Sequence, residues 1–168
     1  MARVFIGIGS NECERLGNIS RAAQALAQLP TTRLMQMAPI YETAPVGGPP
    51  QGDFLNTVVE LETSLAPRPL LAYLQALETQ FGRRPSDVRW GPRIVDLDVL
   101  LHGDTVLSEP DLMIPHPLLH RRRFVLEPLA DLAPTLVHPM LHRTIAQLLE
   151  ALPESAIHDP RSAEASSS

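Results

Sequence analysis

The stretch RWGPRIVDLDVLLHGD carries two carboxylates, Asp96 and Asp98, inside an otherwise apolar run rich in β-branched residues. Successive side chains of a strand point to opposite faces, so Ile94, Asp96 and Asp98 are expected on one face and Val95, Leu97, Val99 and Leu101 on the other. At the usual rise per residue the two aspartate Cα atoms lie roughly 6.5 to 7 Å apart, and both carboxylates reach into one small volume. Like charges that close repel unless a cation or arginines answer them. A solvated edge strand is the plainer account of the pair. Asp is depleted in strands, however, and neither residue is placed to cap a helix. Mg²⁺ asks for such a pair, because it prefers oxygen ligands, keeps several waters and is shared between one or two carboxylates and substrate phosphates. Two such ions on one polyphosphate would clamp it for in-line attack.

The basic residues supply the other half of that chemistry. All fourteen are arginine and none is lysine. Seven of them, Arg83, Arg84, Arg89, Arg93, Arg121, Arg122 and Arg123, fall in two short segments flanking the aspartates. The guanidinium offers a planar fork of donors suited to phosphate oxygens. Alone, HRRRF reads as a solvated basic surface. Beside a carboxylate pair, the set suggests phosphoryl transfer, with metal ions on one side of the phosphates and guanidinium groups on the other. Absence of lysine rules out a Walker A loop, and Gly7-Ile8-Gly9-Ser10 is no dinucleotide fingerprint because Glu12 stands where a third glycine belongs. His116/His120 and His138/His142 have a zinc-compatible spacing, but prolines interrupt both and a third ligand is lacking, so zinc is not expected.

A flat organic substrate is the third suggestion. In FLN, following the loop APVGGPPQGD, Phe54 and Asn56 share a strand face, so a heterocycle could stack on one and hydrogen-bond to the other. Phe124, just beyond the arginines, could supply a second ring. Core packing is the ordinary role of any Phe.

The elements that must carry these residues follow from periodicity. ARVFIGIGS reads as a central strand, and residues 18–29 as an amphipathic helix with Asn18 as N-cap and Pro30 as stop. TRLMQMAPIYET and FLNTVVELETSL read as strands joined by a mobile loop over 44–53, and PRPLLAYLQALETQFGR as a helix opened by prolines and closed by Gly82. With the aspartate strand, the order is βαββαβ, an α+β arrangement in which helices cover a ferredoxin-like antiparallel sheet. After Asp104 the chain reads as an irregular, proline-punctuated extension with a last helix over 141–152. One domain over 1–153 is expected, with 154–168 a disordered tail.

Composition bounds the setting. The net charge of −5 argues against general nucleic-acid binding. The amino terminus MARVFIGIGSN has too short an apolar run for a signal peptide or membrane span, and the lone Cys13 cannot form an internal disulfide, so a cytoplasmic setting is expected. A monomer is expected as well.

The ordered series IGIGSN, YETAPVG, FLN, RWGPR, DLD, PHP and RRRF closely resembles the 6-hydroxymethyl-7,8-dihydropterin pyrophosphokinase family of the folate pathway, over nearly the whole chain as far as Leu152. The resemblance implies transfer of pyrophosphoryl from ATP to a pterin alcohol, with Asp96 and Asp98 holding two Mg²⁺ ions that bridge the ATP phosphates. It implies phosphate contacts for Arg83, Arg93 and Arg122, with Arg89, Trp90 and His116 enclosing the nucleotide and Gln75, Glu78 and Val99 near its pocket. The pterin would sit between Phe54 and Phe124, hydrogen-bonded by Asn56 and by backbone groups around Thr43, Pro45 and Val46. Loops over 44–53 and 83–92 would act as lids. Phe54, Ala44, Pro85 and Pro117 depart from the family pattern, where Tyr, Pro, Arg and Tyr are common. Two other readings fit the residues alone: a metal-dependent nucleotidyltransferase, which would release pyrophosphate, and a ligand-binding regulatory domain, which would have no need of Mg²⁺.

Overall fold

Strand β1 (Ala2–Ser10) runs through the middle of a five-stranded antiparallel sheet in the computed structural model, which describes residues 1–10, 14–43, 54–82 and 94–153. Helix α1 (Arg15–Ala27), strands β2 (Thr32–Met37), β3 (Tyr41–Thr43) and β4 (Phe54–Thr63), helix α2 (Pro67–Gln80) and strand β5 (Asp96–His102) follow. A hairpin of β6 (Leu107–Glu109) and β7 (Leu112–Ile114), a 3-10 turn at Leu119–Arg121, and helices α3 (Arg123–Leu132) and α4 (Ile145–Glu150) come after it. The strand order is β2-β4-β1-β5, with β3 also on β4 and every pairing antiparallel. The aspartate strand β5 is therefore an edge.

The two faces of the sheet are covered unequally, and the site follows from that. On one face Ile19, Ala22 and Leu26 of α1 and Leu70 and Leu74 of α2 close over Val4, Ile6 and Ile8 of β1 and Val95, Leu97 and Val99 beside them. Each such Val, Leu or Ile side chain contributes roughly 1.5–3 kcal/mol against the cost of ordering the chain. On the other face Leu126 and Leu129 of α3 and Ile145 and Leu148 of α4 cover only Phe5, Val58, Leu100 and Leu101. The end of the sheet carrying Gly7 and Gly9 stays open.

Several local readings are corrected by tertiary contacts. Asn18 lies inside α1 rather than capping it, buried with its amide donating to Ser10 Oγ at 3.3 Å. The segment read as one strand over 32–43 is two, broken around Pro39, which has no N–H to give a ladder. Ile94 does not share the aspartates' face; it precedes β5 and packs on the α1/α2 side, against Gly82. A register shift between Phe5 and Ile6 breaks the alternation, so Leu101 joins the α3/α4 core instead of following Val95, Leu97 and Val99. Helix α3 occupies sequence expected to be irregular. Pro128 removes one helical hydrogen bond but is itself buried with Val125, Leu126 and Leu129, so packing outweighs the loss. Helix α4 begins at Ile145, where Thr144 and Gln147 form a capping box, rather than at 141. No helix among the described residues is long and apolar enough to cross a membrane.

Candidate active site

A cleft of about 260 Å³ opens on the half-covered face. Its floor is the backbone of Gly7 and Gly9, which have no side chains to fill it. Register places Asp98 opposite Gly7 and Asp96 opposite Gly9 on one side, and Asn56 opposite Gly9 on the other. Adjacent strands are about 4.7–4.9 Å apart, so the carboxylate wall and the Asn56 wall stand roughly 10 Å from each other across β1. Phe54 lies on the Asn56 side, while His116, Arg122 and Phe124 line the cleft from the segment that leads into α3. Asp98 is exposed and Asp96 half-buried, so both can meet a ligand without leaving a core.

Side-chain contacts set the orientation of these groups. Asn56 Nδ2 donates to Thr43 Oγ1 at 2.9 Å, which turns the amide oxygen toward Gly9. Arg122 lies over the Phe124 ring, its guanidinium carbon 5.5 Å from the centroid. Burial pushes the Arg122 pKa down, and the nearby Asp98 charge works in the opposite direction. Asp98 and Arg122 thus face the same space with opposite sign. The hydroxyl of Tyr41 on β3 donates to Asp131 on α3, tying the wall that ends in Thr43 to the helix that begins beside Phe124. That hydrogen bond pushes the Tyr41 phenol up to about 12.

His116 is held neutral. Its Nδ1 accepts the Leu118 amide at 3.2 Å, so the proton belongs on Nε2, and its own amide donates to the Leu100 carbonyl at 2.9 Å. Burial, with the Arg122 cation beside it, pushes the imidazole down to about 4. A group with a depressed folded pKa stabilises the protein above its unfolded value of 6.5 and loses that contribution as pH falls toward 4. Up to about 3 kcal/mol of stability is therefore expected to disappear across that window. His120 and His138, also lowered by burial, add with the same sign. Urea unfolding as a function of pH checks this: His116→Asn should flatten part of the slope, and an unchanged slope would place the loss elsewhere.

The chain matches the model of the 7,8-dihydro-6-hydroxymethylpterin-pyrophosphokinase (HPPK) family over residues 5–134. It belongs to this family. A 2-amino-4-hydroxy-6-hydroxymethyldihydropteridine pyrophosphokinase of Pseudomonas aeruginosa is 46% identical over 155 residues, covering 92% of this chain and 94% of that protein. One of Aquifex aeolicus is 35% identical over 147 residues, covering 88% and 90% respectively. The crystal structure of an HPPK-DHPS in complex with substrates superposes with a TM-score of 0.70 at 13% identity, over 90% of this chain and 45% of that one, which shows a shared fold.

Among the residues that the HPPK resemblance singled out, the cleft gathers Asp96, Asp98, Phe54, Asn56, His116, Arg122 and Phe124. Thr43 stands behind Asn56. Gln75 is exposed on α2, Val99 points its side chain into the α1/α2 core, and Glu78 is buried with its carboxylate on the Leu97 amide; none of the three lines the cleft. Arg83, Arg89, Trp90 and Arg93, like Pro45, Val46 and both expected lid loops, lie outside the described residues, as does the tail over 154–168. Gly7 and Gly9 as the floor escaped the sequence reading, although alternation along β1 already put them on one face.

The donor set can be tested against Mg²⁺. Among the described residues no group of three or more His, Cys, Asp or Glu is placed to hold a metal ion. Two cleft-facing carboxylates therefore suit a cation that completes its shell from water and phosphate, as Mg²⁺ does.

Proposed function

We propose that this chain transfers pyrophosphoryl from ATP to 6-hydroxymethyl-7,8-dihydropterin, giving AMP and the pterin pyrophosphate, with two Mg²⁺ ions held by Asp96 and Asp98. The observation that carries this reading is one cleft with a carboxylate pair on one wall and an amide with an aromatic ring on the other, separated by a glycine floor. Bound metal would supply charge neutralisation for the triphosphate. The rest falls to the protein. Phe54 and Phe124 stack the pterin, and Asn56, oriented by Thr43, hydrogen-bonds its edge and aims the hydroxymethyl oxygen at the β-phosphorus. Arg122 donates to phosphate oxygens opposite Asp98, and neutral His116 offers an Nε2–H without adding charge. Arg83, Arg89, Trp90 and Arg93 keep the phosphate and nucleotide roles that the resemblance implies, as do Gln75 and Val99, and Pro45 and Val46 keep theirs toward the pterin.

The reading extends to the whole chain. The order β2-β4-β1-β5, with α1 after β1 and α2 after β4, supports a ferredoxin-like core. We take residues 1–153 as one domain of a cytoplasmic monomer.

Product analysis after incubation with ATP, Mg²⁺ and the pterin alcohol tests the reaction. AMP should form only when metal and pterin are both present. Pyrophosphate release instead would make the chain a nucleotidyltransferase, and no turnover would favour a binding domain. A narrower expectation concerns the floor: a Cβ at position 9 would stand 3.0 Å from Asn56 Oδ1, so the amide must shift. Gly9→Ala should raise the pterin KM roughly tenfold and leave the ATP KM near its original value, a split that steady-state kinetics would read directly.

A further inference from the structure

The carboxylate of Glu78 is buried, 8% exposed, at the end of α2, and it does not line the cleft. Its Oε2 accepts the backbone N–H of Leu97 at 2.9 Å. Leu97 is the residue between Asp96 and Asp98. Among the described residues no strand pairs with the outer side of β5, so the amide that Leu97 turns outward is received by a side chain instead, and a buried N–H without an acceptor is costly. Two residues before β5 begins there is a second restraint: the buried Ser10 hydroxyl, at the end of β1, donates to the carbonyl of Ile94. Asp96 is thus bracketed by two side-chain bonds to the backbone, one from each side of the strand's first turn of the pleat. Both come from residues that touch neither wall of the cleft.

Burying a carboxylate is expensive, and the Leu97 amide is one of the groups that answer its charge. Its worth lies in position. A charged acceptor makes a stronger bond than a neutral one, and it fixes the backbone from which both aspartates project, on an edge that would otherwise twist or slip. Glu78 also cannot be a third ligand, since no three-carboxylate group in the described residues is placed to hold a metal. We infer that Glu78 is a positioning residue: by holding the Leu97 amide, it sets the spacing and direction of Asp96 and Asp98 so that the pair can share divalent cations. This departs from the nucleotide contact that the resemblance implies for Glu78, and it rests on the proposed metal role of the pair.

Two measurements on the full-length protein separate the clamp from the metal assignment. The first is backbone amide exchange at Leu97, followed by NMR in the absence of ligand. Glu78→Ala should exchange this proton about tenfold faster or more, while Glu78→Gln, which keeps an acceptor oxygen, should stay closer to the wild type. The second is Mn²⁺ binding, used as a paramagnetic probe in the presence of a non-hydrolysable ATP analogue. Glu78→Ala should weaken Mn²⁺ about tenfold, and Glu78→Gln should retain most of the affinity. Leu97 exchange unchanged in Glu78→Ala, or Mn²⁺ affinity lost equally in both variants, would overturn the inference. Wild-type protein that binds no Mn²⁺, with Leu97 exchange still ordered wild type, Gln, Ala, would remove the metal assignment and leave the clamp standing.

Discussion

Asp98→Asn is expected to lower AMP formation by about two to three orders of magnitude while the protein melts within a few degrees of the wild type. The side chain is exposed on the cleft face of an edge strand, so no core contact is lost. Removing its charge relieves repulsion with Asp96 and gives up attraction to Arg122, two effects of opposite sign on the folded state. What disappears is half of the anionic surface offered to divalent cations, and with it the means of neutralising the transferring phosphates. The diagnostic is a magnesium titration of the residual rate: the variant should need much more metal and still not reach the wild-type plateau. Wild-type turnover in a folded Asp98→Asn protein would remove the pair from the mechanism and leave it as a solvated strand face.

Arg122→Ala is the second large effect, with kcat/KM for ATP expected to fall about a hundredfold. The guanidinium sits at the junction of three cleft groups: it lies over Phe124, it feels Asp98, and it helps keep His116 neutral. Its loss should therefore leave a second trace independent of turnover. With the neighbouring cation gone, His116 should titrate above its present value of about 4, although burial, the larger cause, keeps it below 6.5. An NMR pH titration of the imidazole reads this in the unliganded protein. If kinetics collapse but His116 titrates as before, Arg122 acts on the substrate without standing against His116, contrary to the geometry found here.

The chemistry was more legible in the sequence than the framework that aims it. Asp96, Asp98, Phe54 and Asn56 could be placed by alternation alone, because a strand's period of two is a local property of the backbone. Alternation failed where the partner strand intervened. The shift between Phe5 and Ile6 sends Leu101 to the opposite core, and nothing within the aspartate strand announces it. Helix α3 was hidden for a related reason: Pro128 is a breaker by local rules, and only burial against Phe5, Val58 and Leu101 overrules it. Asn18 looked like a cap because Asn favours that position, whereas its amide is drawn inward by Ser10, eight residues away. The Glu78 bond to the Leu97 amide could not be read from its helix, since that amide is a backbone group on the sheet edge, nineteen residues on.

The glycine floor also limits how far this protein can be improved. Glycine in a central strand sacrifices roughly 0.5–1 kcal/mol relative to alanine, and at position 7 an added Cβ would meet Leu100 at an ordinary 3.5 Å, so the framework has room for the more stable residue. Selection for thermal endurance alone would drift toward filling that space, and each methyl gained would be taken from the substrate. β1 serves two masters, with its Val4, Ile6 and Ile8 side anchoring the main core while Gly7 and Gly9 keep the opposite side bare. Resilience in this molecule is better sought at its far end, in α4 and the turn before it, where no ligand has a claim on the volume.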